Sequence, residues 1–425
     1  MKIAIVHDFL IEYGGAERVL EVMHEIWPEA PVYCAFYDLK RLGPHAERFK
    51  NWDIRPSWVQ NSWFIKRLHS PLRFLTPLVW KYFDFSEFDV VLISSGWYMP
   101  RGVALSRTNK PSFWGGSRLG GRRLQNPTSI LDAVPTKSGP CQNDKNIKKP
   151  VFVCYLHTVP RYLYGYATKM NWQKYWPIRV YGNIINHFLR IYDFRASQGV
   201  DYFITNSQET KRRVWKFYRR ESIVIYPPAE INKSRHSERS EESRSLSRDP
   251  SVASSFRMTG NYFLCVSRLA APKRIDLAIK ACSKLKLPLV VVGKGPEEKY
   301  LKSIAGPTIK FLGEVPDEEL SEIYKNCQAL IFPAIEEDFG IVPVEAMGYG
   351  KPVIALRSGG VVETVIDGKT GLFFNEPQVK SLIETIKRFE KMKNQLSQEA
   401  CFNQAKKFSK EIFKEKIRDF VTDKA

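Results

Sequence analysis

Two glutamates, Glu337 and Glu345, stand eight positions apart in EEDFGIVPVEAMGYGKPVIA, residues 336–355, on either side of Gly340 and an apolar run. Carboxylates only accept hydrogen bonds, so two that converge on one ligand suit a polyhydroxyl molecule. The surrounding pattern says how they could converge. QALIFPA reads as a strand and EEDFG as a turn; IVPVEAMGYG reads as a helix that tolerates Pro343 near its start and carries Glu345 about one turn in. Glu337 would then lie in the loop before the helix. Backbone N–H groups at Phe339, Gly340 and Ile341 would meet phosphate or sugar oxygens at the positive end of the helix dipole. A helix start that merely favours acids accounts for Glu336, Glu337 and Asp338, but not for Glu345.

Other candidates carry positive charge or small size. In VSRLAAPKRIDLAIK, Arg268 and Lys273 close a strand and enter a helix. Such a pair is common on solvated surfaces, but at a strand end facing a cleft it suits a diphosphate, which gains negative charge as it leaves. His157 ends the strand PVFVCYLHT, and Arg161 shares its rim. A lone histidine is more often structural, yet one at a strand end in a cleft is placed to hydrogen-bond a polar substrate. Gly14 and Gly15 sit where the first strand turns into its helix, so backbone amides could approach an anion there. A tight turn explains the glycine pair equally well, and without G-x-G-x-x-G a dinucleotide reading is disfavoured.

These residues need elements to hold them. KIAIVHDF reads as a buried strand, and GGAERVLEVMHEIW follows as a helix with Val19, Leu20, Met23 and Ile26 or Trp27 on one face. FDVVLISSG, PVFVCYLHT and VDYFITNS repeat the strand pattern. From Asn261 it restarts with NYFLCVSR, LPLVVVGKG, TIKFLGEV, QALIFPA and KPVIAL, separated by helical segments such as IDLAIKACSKLK and DEELSEIYKNC. The expected fold is α/β: two Rossmann-like, doubly wound parallel-sheet domains facing a cleft, with ligands at the carboxyl ends of the strands. The expected division is an acceptor-side domain over 1–228, a linker over 229–258, a second domain over 259–400, and a Phe-striped helix over 401–425 that packs back on the body.

Two segments break the pattern. Residues 107–149 and 232–257 lack apolar periodicity and are biased to Gly, Ser, Pro, Asn, Arg and Glu, a composition that predicts disorder. They hold nine basic residues against two acidic and six against four, so nine of the chain's net 20 positive charges lie there. That excess admits nucleic acid, an anionic membrane surface or phosphorylated substrates as partners. No nucleic-acid-binding motif occurs, so no specific nucleic acid is expected.

At 425 residues the chain is long enough for two cores. Seven scattered cysteines with no C-x-x-C pair argue against a disulfide framework or a zinc site and for cytoplasmic thiols. The N-terminal apolar run is too short for a signal peptide, and no stretch offers a membrane span. Residues 58–85 mix aromatics and Leu with Lys66, Arg67, Arg73 and Lys81. They read either as core helices with basic faces or as an interfacial contact with an anionic membrane.

Taken together, Glu337 to Glu345, SRLAAPKRID, VVGKGPE and GGVVETVIDGKTGLFF resemble, in order and spacing, the retaining GT-B glycosyltransferases of family four with its E-x7-E motif. HDFLIEYGGAERVLE and CYLHTVPRYLYGY resemble the subgroup of GDP-mannose-dependent mannosyltransferases of O-antigen and exopolysaccharide assembly. The resemblance implies roles residue by residue. Glu345 would hold ribose hydroxyls and Glu337 a hydroxyl of the transferred sugar. Arg268 and Lys273 would bind the diphosphate, Gly15 would let the first domain's loop approach it, and His157 would touch the sugar near the reacting carbon. The resemblance further implies no metal and no cofactor, the donor being a nucleotide sugar, GDP-mannose, and the acceptor a lipid-linked saccharide at the inner face of the membrane. Competing readings are another donor such as UDP-glucose, a sugar-nucleotide epimerase on the same fold, and an inactive member acting as a scaffold.

Overall fold

The computed structural model describes residues 1–107, 149–168, 175–231 and 261–425. The two compositionally biased segments therefore lie almost wholly outside the described residues, and the disorder expected of them stays an expectation.

Two all-parallel sheets carry the described chain. The first has seven strands, β1 (Ile3–His7), β2 (Val32–Cys34), β3 (Ile54–Pro56), β4 (Val90–Ser95), β5 (Val151–Leu156), β6 (Tyr202–Thr205) and β7 (Ile223–Val224), in the order β3-β2-β1-β4-β5-β6-β7. The second has six, β8 (Phe263–Val266), β9 (Leu289–Val292), β10 (Ile309–Gly313), β11 (Ala329–Phe332), β12 (Val353–Leu356) and β13 (Gly371–Phe374), in the order β10-β9-β8-β11-β12-β13. Strand order reverses between β1 and β4 and again between β8 and β11. Such switch points open a crevice beyond the carboxyl ends of the strands, where ligands bind in folds of this kind. The central strands are buried along their length, IAIVH and VVLISS throughout, because helices cover both faces of the sheet.

In the first domain those helices are α1 (Gly15–Ile26), α2 (Trp63–Arg67), α3 (Thr76–Lys81), α4 (Trp176–Gly199) and α5 (Gln208–Tyr218). In the second they are α6 (Ile275–Leu285), α7 (Glu298–Ser303), α8 (Asp317–Asn326), α9 (Ile341–Gly348), α10 (Val361–Thr364) and α11 (Val379–Met392). The C-terminal stretch, expected as one helical pattern, is two helices, α12 (Gln398–Lys406) and α13 (Lys410–Lys424). Ser409 separates them and caps the second by accepting the Ile412 N–H at 3.4 Å. The break redirects the chain. Cys401 and Ala405 of α12 join the second domain's core, whereas Phe413, Ile417 and Val421 of α13 pack with Val19 and Leu20 in the first.

Residues 58–85 divide between the two readings offered for them. Val59, Val79, Trp80, Phe83 and Phe85 are buried, and Trp63, Phe64, Phe74, Leu78 and Tyr82 are exposed. The exposed set continues on α4, which turns Trp176, Ile178, Val180, Ile184, Phe188 and Phe194 to solvent. Tyr181 of α4 donates to the Pro71 carbonyl at 2.5 Å and Arg73 reaches Asn186 at 3.1 Å, so the two segments are fastened together. Among the described residues no helix is long and apolar enough to cross a membrane.

Candidate active site

The candidate residues follow the strands at the two switch points. On the second domain, Arg268 lies two residues beyond β8 and Lys273 just before α6, while Glu336 to Gly340 link β11 to α9. On the first domain, Gly14 and Gly15 start α1 after β1, and His157 follows β5.

Lys273 and Glu337 meet directly, Nζ to Oε2 at 2.6 Å, each about four-fifths shielded from solvent. Burial alone would raise the Glu337 pKa; the Lys273 ammonium outweighs it and, with Arg161 and Arg268, holds the carboxyl below its ordinary value. The loop carrying Glu337 is braced from below. Glu337 bridges the backbone at Gly359, and the Gly360 N–H donates to the Glu337 carbonyl at 2.8 Å. A β-carbon on Gly359 would come within 2.2 Å of that carbonyl, at a φ of +73° that disfavours any side chain.

Glu345 is buried within α9. Tyr324 donates to its Oε2 at 3.2 Å, and Arg18 of α1 forms an ion pair with its other oxygen across the cleft. The cleft is crossed elsewhere too. Arg268 meets Glu12 at 3.3 Å, Arg48 meets Asp317 at 3.0 Å, and Glu363 accepts the Gln208 and Glu209 N–H groups at 2.8 and 3.0 Å, capping α5 from the opposite domain.

Asp338 is the centre of this interface. Its carboxylate receives Arg161 at 2.9 Å, Thr158 Oγ1 at 3.0 Å and the guanidinium of Arg213, and both arginines also donate to the Glu336 carbonyl. Arg161, expected on an acceptor rim, is thus committed to the facing domain. Thr158 adjoins His157 and Asp338 adjoins Glu337, so this contact draws the two candidates toward one another. Phe339, named as a candidate for its backbone N–H, buries its ring against Tyr226 and Phe408, so only its backbone can address the cleft. Gly340 takes a left-handed turn, φ +84°, into α9 at Ile341. A β-carbon on Gly15 would meet nothing within 4 Å, so that turn has open space in front of it.

His157 packs its ring against Tyr155 at 5.1 Å, and burial lowers its pKa to about 3, so it is neutral at physiological pH. The six described cysteines are all buried and unpaired. Among the described residues no three histidine, cysteine or acidic side chains cluster as metal ligands.

Sequence reasoning missed Arg18, Asp338 and Arg213. Arg18 sits inside an ordinary amphipathic helix pattern, and its partner is 327 positions away. Asp338 stands in a run of three acids that the start of a helix already accounts for, so its type and place gave no separate signal.

The family described as glycosyl transferases group 1 matches residues 249–408. An uncharacterised glycosyltransferase of Methanocaldococcus jannaschii is 31% identical over 160 residues, 37% of this chain and 45% of that one. A GDP-mannose-dependent alpha-mannosyltransferase of Corynebacterium glutamicum is 31% identical over 118 residues, 28% of each chain. The chain thus spans less than half the length of these curated relatives. Among solved structures, Anabaena HepE in complex with UDP and glucose superposes with a TM-score of 0.63 at 19% identity, covering 99% of both chains. Residues 249–408 therefore match the glycosyltransferase group 1 family, within a chain whose two facing parallel-sheet domains have the GT-B arrangement.

Proposed function

We propose that this protein is a retaining glycosyltransferase that moves a hexose, mannose from GDP-mannose, onto a lipid-linked saccharide. The observation that carries the reading is the meeting of Lys273 with Glu337 at the carboxyl end of β11, with Arg268 beside them and Glu345 on the helix that follows. In that arrangement Lys273 and Arg268 hold the diphosphate and Glu345 accepts from ribose hydroxyls. Glu337 accepts from a hydroxyl of the sugar. The acceptor oxygen bonds to the anomeric carbon as the carbon–oxygen bond to the diphosphate breaks. The acceptor's proton passes to the departing phosphate oxygen, and the two cations offset the charge that develops there. The choice of GDP-mannose is supported by the sequence motifs of the first domain and by the name of the Corynebacterium relative.

A lipid-linked acceptor fits the outer face of the first domain. The exposed side of α4 joins Trp176, Ile178, Val180, Ile184 and Phe188 to Arg179, Arg190 and Arg195, and the one acid of that helix, Asp193, is buried. An apolar face flanked by arginines suits adsorption to an anionic bilayer without insertion across it. Flotation with phosphatidylglycerol vesicles should carry the protein up, and Ile184→Glu with Phe188→Glu should leave it in the dense fraction; equal flotation of both would remove α4 from the membrane contact.

Thermal unfolding with GDP, UDP, ADP and their sugar conjugates, without added metal, tests the donor. A shift selective for GDP and GDP-mannose supports the reading. A shift selective for UDP and UDP-glucose replaces the donor while keeping the site, and no shift with any nucleotide would overturn the transfer reading.

A further inference from the structure

Behind His157 runs a line of side chains that the proposed transfer does not use. His157 Nε2 lies 2.8 Å from Ser94 Oγ, and that oxygen lies 2.9 Å from His7 Nδ1. His7 Nε2 faces Glu17 Oε1 at 3.5 Å, an electrostatic approach rather than a formed hydrogen bond, and is buried with no hydrogen-bond partner among the described residues. The other carboxylate oxygen of Glu17 accepts the Gly14 N–H at 2.9 Å. His7 and Ser94 are paired in register on β1 and β4, Glu17 is in the first turn of α1, and all three are buried. The line therefore crosses the first domain's switch point, from the glycine turn to the end of β5.

Donor and acceptor chemistry orients it. A carboxylate offers only lone pairs, so the hydrogen on His7 belongs on Nε2, toward Glu17. A neutral His7 protonated there has a lone pair at Nδ1, which receives the Ser94 hydroxyl hydrogen. The Ser94 oxygen is then free to accept, and it receives the hydrogen of His157 Nε2. His157 Nδ1 is left with a lone pair. It makes no hydrogen bond among the described residues, on a side chain partly open to solvent.

We infer that Glu17, His7 and Ser94 form a relay that fixes His157 as its Nε2–H tautomer, so that Nδ1 accepts a hydrogen bond from a hydroxyl of the ligand in the cleft. Glu17, His7 and Ser94 are positioning residues; His157 alone meets the ligand. One carboxylate thereby sets both the turn at Gly14 and the hydrogen-bonding character of His157. That the hydroxyl belongs to a transferred sugar rests on the proposed function, but the tautomer does not. A charged His7 would reverse the line, with Nδ1–H donating to Ser94, Ser94 donating to His157 Nε2, and His157 presenting an Nδ1–H donor.

Nitrogen-15 labelling of the histidines in the full chain, with two-bond proton–nitrogen correlation at neutral pH, reads the tautomer without any nucleotide. The His157 pattern is assigned by its loss in His157→Gln. The expected pattern is a protonated Nε2 and a bare Nδ1. Glu17→Gln should invert it, because the amide oxygen must still accept from Gly14, which turns the NH₂ group toward His7 and reverses each bond in turn. Ser94→Ala should cut the relay and leave a mixture of tautomers. A wild-type His157 protonated at Nδ1, or an Nε2–H pattern unchanged in Ser94→Ala, would overturn the inference. Should Glu17→Gln not fold, the wild-type and Ser94→Ala spectra decide alone. A normal tautomer result with no nucleotide binding would sink the donor reading and leave the relay standing.

Discussion

Lys273 is the residue on which the proposed chemistry most directly turns. Its ammonium is 2.6 Å from Glu337 and about four-fifths shielded from solvent, which in the proposed complex aims it where the diphosphate would depart. A cation poised this way stabilises charge that develops during reaction more than charge present beforehand. Lys273→Ala should therefore lower kcat by roughly a hundredfold, the scale for losing one such electrostatic partner, with a smaller change in donor KM. Steady-state kinetics with the donor identified by thermal shift provide the measurement; a raised KM with kcat untouched would make Lys273 a binding group only. His157 carries a pH consequence. With its pKa lowered to about 3 from an ordinary 6.5, the unfolded chain binds its proton first, so its contribution to stability is complete above the ordinary value and declines as pH falls toward 3. His157→Asn should flatten that part of the acid slope in urea unfolding between pH 4 and 7.

The turn between β11 and α9 shows what an element adds to its residues. EEDFG holds Glu337 in place because Asp338 is gripped by Arg161, Arg213 and Thr158 from the other domain, and because Gly359 lets a second backbone lie against it. Asp338→Asn keeps the shape and removes the charge between two arginines, one of them only 2% exposed. Breaking one side of such a buried pair costs roughly 2–5 kcal/mol. Urea unfolding should show a loss of that order; a change within a few tenths of a kcal/mol would mean the grip is not made in solution. This element also marks how far the sequence could be read. The strand, the turn and the helix were legible from apolar runs and from Gly340, as were the central strands β1, β4, β5, β6, β8, β11 and β12. The outer strands β2, β3 and β7 were not, being two or three residues long in VYC, IRP and IV, where no periodicity can register. The edge strand β13, GLFF, carries a clear apolar run but is only four residues long and is not among the segments read as strands. Neither Asp338 nor its pairing stood out, because nothing local ties it to Arg161 or Arg213, more than a hundred positions earlier.

At the scale of the molecule, the two domains are joined by charges that the proposed ligand needs. Glu345, assigned to the ribose, is paired with Arg18 of the facing domain, and Arg268, assigned to the diphosphate, is paired with Glu12. The helix α13 returns to the first domain and fastens Lys410 and Lys414 to Glu25 of α1, so the same helix that carries Arg18 is held to the chain's last element. A donor entering the cleft must displace Arg18 from Glu345 or recruit it. If it displaces Arg18, the ion pair competes with binding: Arg18→Ala should lower the melting temperature of the free protein yet increase the shift produced by GDP. Glu345→Ala should reduce that shift, since hydrogen bonds to a charged group contribute about 1.5–3 kcal/mol, and adding Arg18→Ala to it should restore nothing. If Arg18 instead turns to the nucleotide phosphates, Arg18→Ala should weaken GDP binding as Glu345→Ala does, and the two losses should add to the extent that the sites act independently. The pair of single variants and the double variant therefore separate a cleft that opens to admit its donor from one that is closed by it, and calorimetric titration with GDP reads the difference directly.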